Sequence, residues 1–222
     1  MKTMSVSPAD VAMGAGQPPK GRRTVDLMTR ALHVLMAISF ALGYITSESE
    51  RLKLLHITAG YTLLGLLLAR VLWGLWGPRP ARWTVLRQKL LGFRQLLQSV
   101  PNIQAWMVRL QAPVLATSIA LVLLCMAPLV LTGYVAEQDW LGWGDAIGEL
   151  HEAVANLMLL GVLAHVGAVL VFSLLRRKNL AMPMLTGRVP ESGPDLVRNN
   201  QTVWALLLIV AVLLFWAWQW WV

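Results

Sequence analysis

The sequence predicts an all-α integral membrane protein, a four-helix transmembrane bundle followed by a fifth C-terminal transmembrane helix. Three observations predict it. Hydrophobic residues fill 57% of the 222 positions, far from a soluble domain's balance. Several apolar runs exceed the roughly 20 residues that a helix needs to cross a bilayer. The basic residues gather on alternate sides of those runs, as membrane topology demands. The net charge of +8 is thus a matter of topology, and no nucleic-acid partner is expected. The single cysteine, Cys125, lies inside an apolar run. There is therefore no disulfide framework, no Cys cluster for zinc or iron–sulfur, and no C-x-x-C-H attachment motif.

Residues 1–24 are polar, rich in Gly, Pro and Ser, and have no apolar core, so they read as a disordered cytoplasmic tail rather than a signal peptide. The first span runs from about Leu27 to Thr46, with Arg30 just before His33, which sits one turn inside. The acidic connector TSESERLK is so short that spans one and two must be antiparallel neighbours. The second span starts near Leu54, holds His56 one turn in, and places Arg70 on roughly the same helical face. Gly77, Pro78 and Pro80 end it. Residues 78–112 then form a basic loop, with Arg79, Arg82, Arg87, Lys89, Arg94 and Arg109 and no acid. Leucines between these bases suit an amphipathic helix on an anionic leaflet, with a polybasic partner-docking surface as the alternative.

The third span, Pro113 to about Tyr134, has no histidine and needs only a packing role. An acidic, Trp-bearing loop leads into the fourth span, which runs from Ala146 to Leu175 and contains HEAVANLMLLGVLAH at 151–165. Arg176, Arg177 and Lys178 stop it, and a basic loop broken by Pro183, Pro190 and Pro194 follows. The fifth span, from about Val203, ends in FWAWQWWV, whose four tryptophans read as an interfacial belt. The chain thus divides into a tail (1–24), a bundle (25–180) carrying the loop 78–112, and a cytoplasmic loop with the fifth helix (181–222). The positive-inside rule puts the N-terminus and the long loop in the cytoplasm and the C-terminus outside.

All four histidines, His33, His56, His151 and His165, fall in predicted spans. A histidine inside a membrane is costly and points to function. His151 and His165 are 14 residues apart, which is about 21 Å along a helix and within roughly 40° of one face. The topology groups His56 with His151 near the outer leaflet and His33 with His165 near the inner one. Two imidazoles from facing helices at one depth suit bis-histidine ligation of haem iron in a bundle core. Zinc usually takes four ligands, and a proton relay usually mixes in Asp and Glu, which the span interiors lack. A relay and pure packing remain the alternatives. Gly60 and Gly161, each one turn from a histidine, would let a flat macrocycle approach, or would simply help helices pack. Arg70 suits a haem propionate at the inner level, with snorkelling as the alternative, and Arg30 could serve the same propionates.

The run His56-x3-Gly60-x9-Arg70-x2-Trp73 and its Pro-containing turn resemble the second helix of the prokaryotic cytochrome b561 family. HEAVANLMLLGVLAH followed by RRKNLAMPMLTGR is similar to that family's fourth helix and the cytoplasmic segment after it. The family is related to the b-type cytochrome subunits of nickel–iron hydrogenases and formate dehydrogenases. The resemblance covers roughly residues 24–190. It leaves out the fifth span, and no His-Asn-Pro precedes span three as in many relatives. It implies two haem b groups, ligated by His56/His151 on the periplasmic side and His33/His165 on the cytoplasmic side of a bacterial inner membrane. It also implies electron transport, as in a respiratory chain, between membrane quinone and a redox partner. The outer loops are acidic, with Glu48, Glu50, Glu137, Asp139, Asp145, Glu149 and Glu152 against Arg51 and Lys53. That balance suits a positively charged periplasmic electron-transfer protein such as a c-type cytochrome. The alternatives are a superoxide:ubiquinone oxidoreductase, which a basic outer pocket would favour, and a membrane-anchor subunit of a dehydrogenase or hydrogenase complex. A haem sensor or haem transporter is a further class, and four fixed axial ligands argue against a transporter that must release its cargo.

Overall fold

The computed structural model describes residues 21–96, 102–138 and 142–221. Among them, five helices are long and apolar enough to cross a membrane.

Helix α1, Leu27–Thr46, begins where Asp26 caps it. The Asp26 carboxylate accepts from the Thr29 amide at 2.9 Å and the Thr29 hydroxyl at 2.7 Å, a cap worth about 1 kcal/mol. A short 3₁₀ turn over Glu50–Leu52 leads straight into α2, Lys53–Trp76, so the hairpin is as tight as its connector requires. The Gly77 amide donates to the Trp73 carbonyl at 2.8 Å, and Pro78 prevents any continuation.

Helix α3, Trp83–Leu91, and the single turn α4, Phe93–Leu96, follow within the basic connector. In α3, Arg87, Gln88 and Lys89 are exposed while Val85, Leu86 and Leu90 are half-buried, the division that a surface helix needs. Trp83 fastens it to α2. Its indole N–H donates to the Val71 carbonyl at 3.1 Å, and its ring fills the space over Gly74, where a Cβ would lie 2.2 Å away.

Helix α5 runs from Ile103 to Gln138, so the third span starts ten residues before the expected Pro113. Pro113 and Pro128 both lie inside the helix. Each removes only one backbone hydrogen bond, and a helix of 36 residues packed lengthwise on its neighbour keeps the others. Arg109 therefore belongs to this helix and not to the connector. Helix α6, Gly144–Arg176, ends where Arg177 adopts the left-handed conformation at φ 50°. The short α7, Met182–Thr186, and α8, Thr202–Trp221, complete the chain.

Helices α1 and α2 form one antiparallel hairpin, α5 and α6 another, and α2 packs on α5 to join them. Phe40, Leu63, Leu67, Cys125, Met126, Leu129, Val130 and Met158 make the central core from all four helices. A second cluster, Met28, Leu32, Leu66 and Ala205, seats α8 against α1 and α2. Trp216 adds a polar lock there, since its indole N–H donates to the Thr62 hydroxyl at 2.8 Å. The expected belt of four tryptophans therefore loses one member to packing, while Trp218, Trp220 and Trp221 stay exposed.

Of the tail expected over 1–24, residues 1–20 lie outside the described residues, and 21–24 are ordered. The Thr24 amide donates to Gly187 O at 2.9 Å, Val189 N to Arg22 O at 3.0 Å, and Leu196 N to Arg23 O at 2.9 Å. Gly187 is required at this clasp. Its φ is +76°, and a Cβ on it would stand 2.9 Å from the Val25 carbonyl.

Candidate functional site

The fold brings the four histidines together as two pairs. The rings of His56 (α2) and His151 (α6) have centroids 6.1 Å apart with planes at 80°. The rings of His33 (α1) and His165 (α6) are 6.5 Å apart at 55°. Between the two levels lies the central apolar cluster, with Met158 seven residues from either histidine of α6 and only 1% exposed. Among the described residues, no three or more His, Cys, Asp or Glu gather in one place, so each pair is a two-imidazole site.

The separations can be tested against a metal held between the rings. A metal–imidazole bond of about 2 Å on each side, plus roughly 1 Å from nitrogen to ring centre, puts two centroids about 6 Å apart. Both pairs stand at that distance. Haem iron can take two ligands from the protein, because the macrocycle supplies the others, and a pair of imidazoles would fit that role.

Hydrogen bonds aim three of the rings. His56 Nδ1 lies 2.8 Å from the Gly43 carbonyl oxygen on α1. His151 Nδ1 lies 3.0 Å from the Leu129 carbonyl oxygen and 3.2 Å from the Thr132 hydroxyl, both on α5. His165 Nδ1 is 3.0 Å from the Ser118 hydroxyl, also on α5. The third span, expected to serve packing alone, therefore contacts both histidines of the fourth. It also makes room for one of them: a Cβ on Gly133 would sit 2.8 Å from His151 Cε1.

Sequence reasoning missed Ser118, Thr132 and Gly133, although a signal was present. Ser118 and Thr132 are 14 residues apart, the same separation as His165 and His151. On antiparallel helices equal spacings come into register. Asn156 was missed as well; it accepts from the Tyr44 hydroxyl at 2.9 Å and ties α6 to α1. Tyr61 and Tyr134 meet edge to face at 6.3 Å between α2 and α5.

The other expected site residues divide. Arg70 is held 4.7 Å over the Trp83 ring, and its Nη1 is buried with no hydrogen-bond partner among the described residues. It lies one turn beyond Leu66, which packs against Leu32, the neighbour of His33. Arg70 therefore stands on α2 about one turn beyond the level of His33, toward Asp26 at the start of α1, with its Nη1 buried. Arg30 is engaged elsewhere: its Nε donates to the Met184 carbonyl at 3.2 Å and its Nη2 to that of Leu185 at 2.5 Å. Gly60 has open space where a Cβ would be, whereas Gly161 packs at ordinary contact distance on Leu121 and Val122. The helix-packing alternative thus accounts for Gly161.

Compared with known families, the chain matches Prokaryotic cytochrome b561 over residues 24–187. The chain belongs to that family. No curated protein and no solved structure matches it. The cytochrome b561 family is a helical membrane bundle that binds b-type haem, and this member is a membrane b-type cytochrome in electron transfer. The family match ends at Gly187, so α8 lies outside the matched region.

Proposed function

We propose that this cytochrome carries two haem b groups, one between His56 and His151 on the periplasmic side and one between His33 and His165 on the cytoplasmic side. It passes electrons between membrane quinone and a periplasmic electron-transfer protein. The observation that carries this reading is the pair of histidine separations, 6.1 and 6.5 Å, repeated at two levels of one bundle. Haem, when bound, supplies one-electron chemistry at a potential that the protein sets. The remaining roles fall to the chain. The histidines present nitrogen ligands from facing helices. Phe40, Met126 and Met158 keep the layer between the pairs dry. Arg70 would offer a propionate its Nη1, which has no hydrogen-bond partner among the described residues.

Charge placement supports the orientation and the kind of partner. Glu48, Glu50, Glu137, Asp145, Glu149 and Glu152 are all exposed around the end of the bundle that holds His56 and His151. Lys53 is engaged with one of them, Glu137, at 3.4 Å. This acidic face favours a cationic protein over an anionic small substrate. The positive-inside rule assigns the opposite, basic face to the cytoplasm of a bacterial inner membrane.

The test is anaerobic mixing of the purified oxidised protein with quinol, and a separate pulse of superoxide. Reduction of haem by quinol, with superoxide acting no faster than on denatured protein, is the expected result. Rapid reduction by superoxide with electrons passing on to quinone would replace this reading with a superoxide:ubiquinone oxidoreductase. Folded protein with no haem signal would end both.

A further inference from the structure

The hydroxyls of the third span have a job that hydrogen counting reveals. A carbonyl oxygen only accepts, so the contacts of His56 with Gly43 O and of His151 with Leu129 O require the proton on Nδ1. Ser118 reaches the same result less directly. Its hydroxyl carries one hydrogen, which it donates to the Leu115 carbonyl at 2.9 Å. Toward His165 Nδ1 it can then only accept. Thr132 likewise donates to the Pro128 carbonyl at 2.7 Å and accepts from His151. His56 and His151 therefore carry their proton on Nδ1 with the Nε2 lone pair free, and His165 does the same while Ser118 keeps its bond to Leu115.

The supports differ in kind. His151 has a backbone carbonyl as well as a hydroxyl, and His56 has a carbonyl. Among the described residues, His165 has the Ser118 hydroxyl alone. An N–H donated to an oxygen makes the imidazole a richer ligand and stabilises the more oxidised metal.

We propose that Ser118 is a positioning residue that aims His165 and lowers the potential of the inner haem, with Thr132 in a weaker version of the same role at His151. The proposal rests on the ligation reading above. Removal of Ser118 leaves the His165 ring free to rotate and its Nδ1 proton without an acceptor. Removal of Thr132 leaves the Leu129 carbonyl in place.

The experiment is an optical redox titration of the full-length protein as wild type, Ser118→Ala, Ser118→Thr, Thr132→Val and His165→Ala. His165→Ala identifies the inner haem as the component that disappears. Ser118→Ala is expected to raise that component's midpoint so that its reduced-to-oxidised ratio at a fixed ambient potential rises roughly tenfold, about 59 mV for one electron. The other haem should not move, which also serves as the control for folding. Ser118→Thr, which keeps the hydroxyl, should restore the midpoint. Thr132→Val should move only the outer haem, and by less. If Ser118→Ala moves neither midpoint, or both alike, the positioning role is wrong while the ligands stand. If His165→Ala keeps both haems, the ligation reading fails and this inference with it.

Discussion

At the outer pair the backbone holds the rings, with His56 donating to the Gly43 carbonyl and His151 to that of Leu129. At the inner pair a side chain does so: Ser118 contacts His165, while Arg70 stands on α2 about one turn away. The two sites share a ring separation and differ in what sets it. A carbonyl cannot be mutated away, so the outer site yields mainly to steric change, while the inner one can be tuned by single side-chain substitutions. One bundle thus holds a fixed site and an adjustable one.

The harshest way to break the comparison is to fill the space beside His151. Gly133→Leu drives a side chain into a ring that a Cβ alone would approach to 2.8 Å. It should remove the outer haem and spare the inner one, so the haem content per chain should halve. An equal loss at both levels would mean that the sites are not independent.

Arg70 sharpens the inner half. Its guanidinium lies 4.7 Å over the Trp83 ring, and a nearby cation favours the reduced, less positive iron. Arg70→Gln should lower the inner midpoint by an amount on the order of 1 kcal/mol and leave the outer one unchanged. Movement of the outer midpoint instead would place Arg70 in the wrong half.

Trp216 lies outside both sites. Trp216→Phe forfeits the bond to Thr62, worth about 1 kcal/mol. Thermal unfolding should shift slightly down while both midpoints hold. A changed midpoint would make α8 part of the electron path.

The smallest effect concerns the clasp that ties the start of α1 to the 187–197 loop. Lys178 donates to Glu191 at 2.6 Å and holds that carboxyl below its ordinary value. Such a pair stabilises above the usual carboxylate pKa and fades as pH falls through the lowered one. Because Glu191 is fully exposed, Lys178→Met should leave the unfolding midpoint unchanged at neutral pH and at mildly acid pH. A clear drop at neutral pH alone would show that the clasp depends on this ion pair.

Much of the bundle was legible because hydropathy and charge act over whole segments. α1 has the expected ends, Leu27 and Thr46, and α2 starts one residue from Leu54. The start of α5 was not legible. A proline at 113 reads as a boundary, whereas a long helix with a packed neighbour absorbs one lost hydrogen bond. The histidines were legible because an imidazole in an apolar run is costly. Their supports were not, because Ser118, Thr132 and Gly133 are the small residues that any membrane helix uses to pack. Only the register of α5 on α6 gives them a second meaning. In sequence Arg30 reads as a propionate partner, and in the fold its Nε and Nη2 donate to two carbonyls of α7, which no sequence pattern announces.

The central claim is two haems on two separate histidine pairs, and haem stoichiometry tests it most directly. Haem b per chain should be measured in the purified wild type, His33→Ala and His56→Ala. The account predicts two haems in the wild type and one in each variant, with the two variants keeping spectrally different haems. One haem in the wild type, or two in either variant, would contradict it.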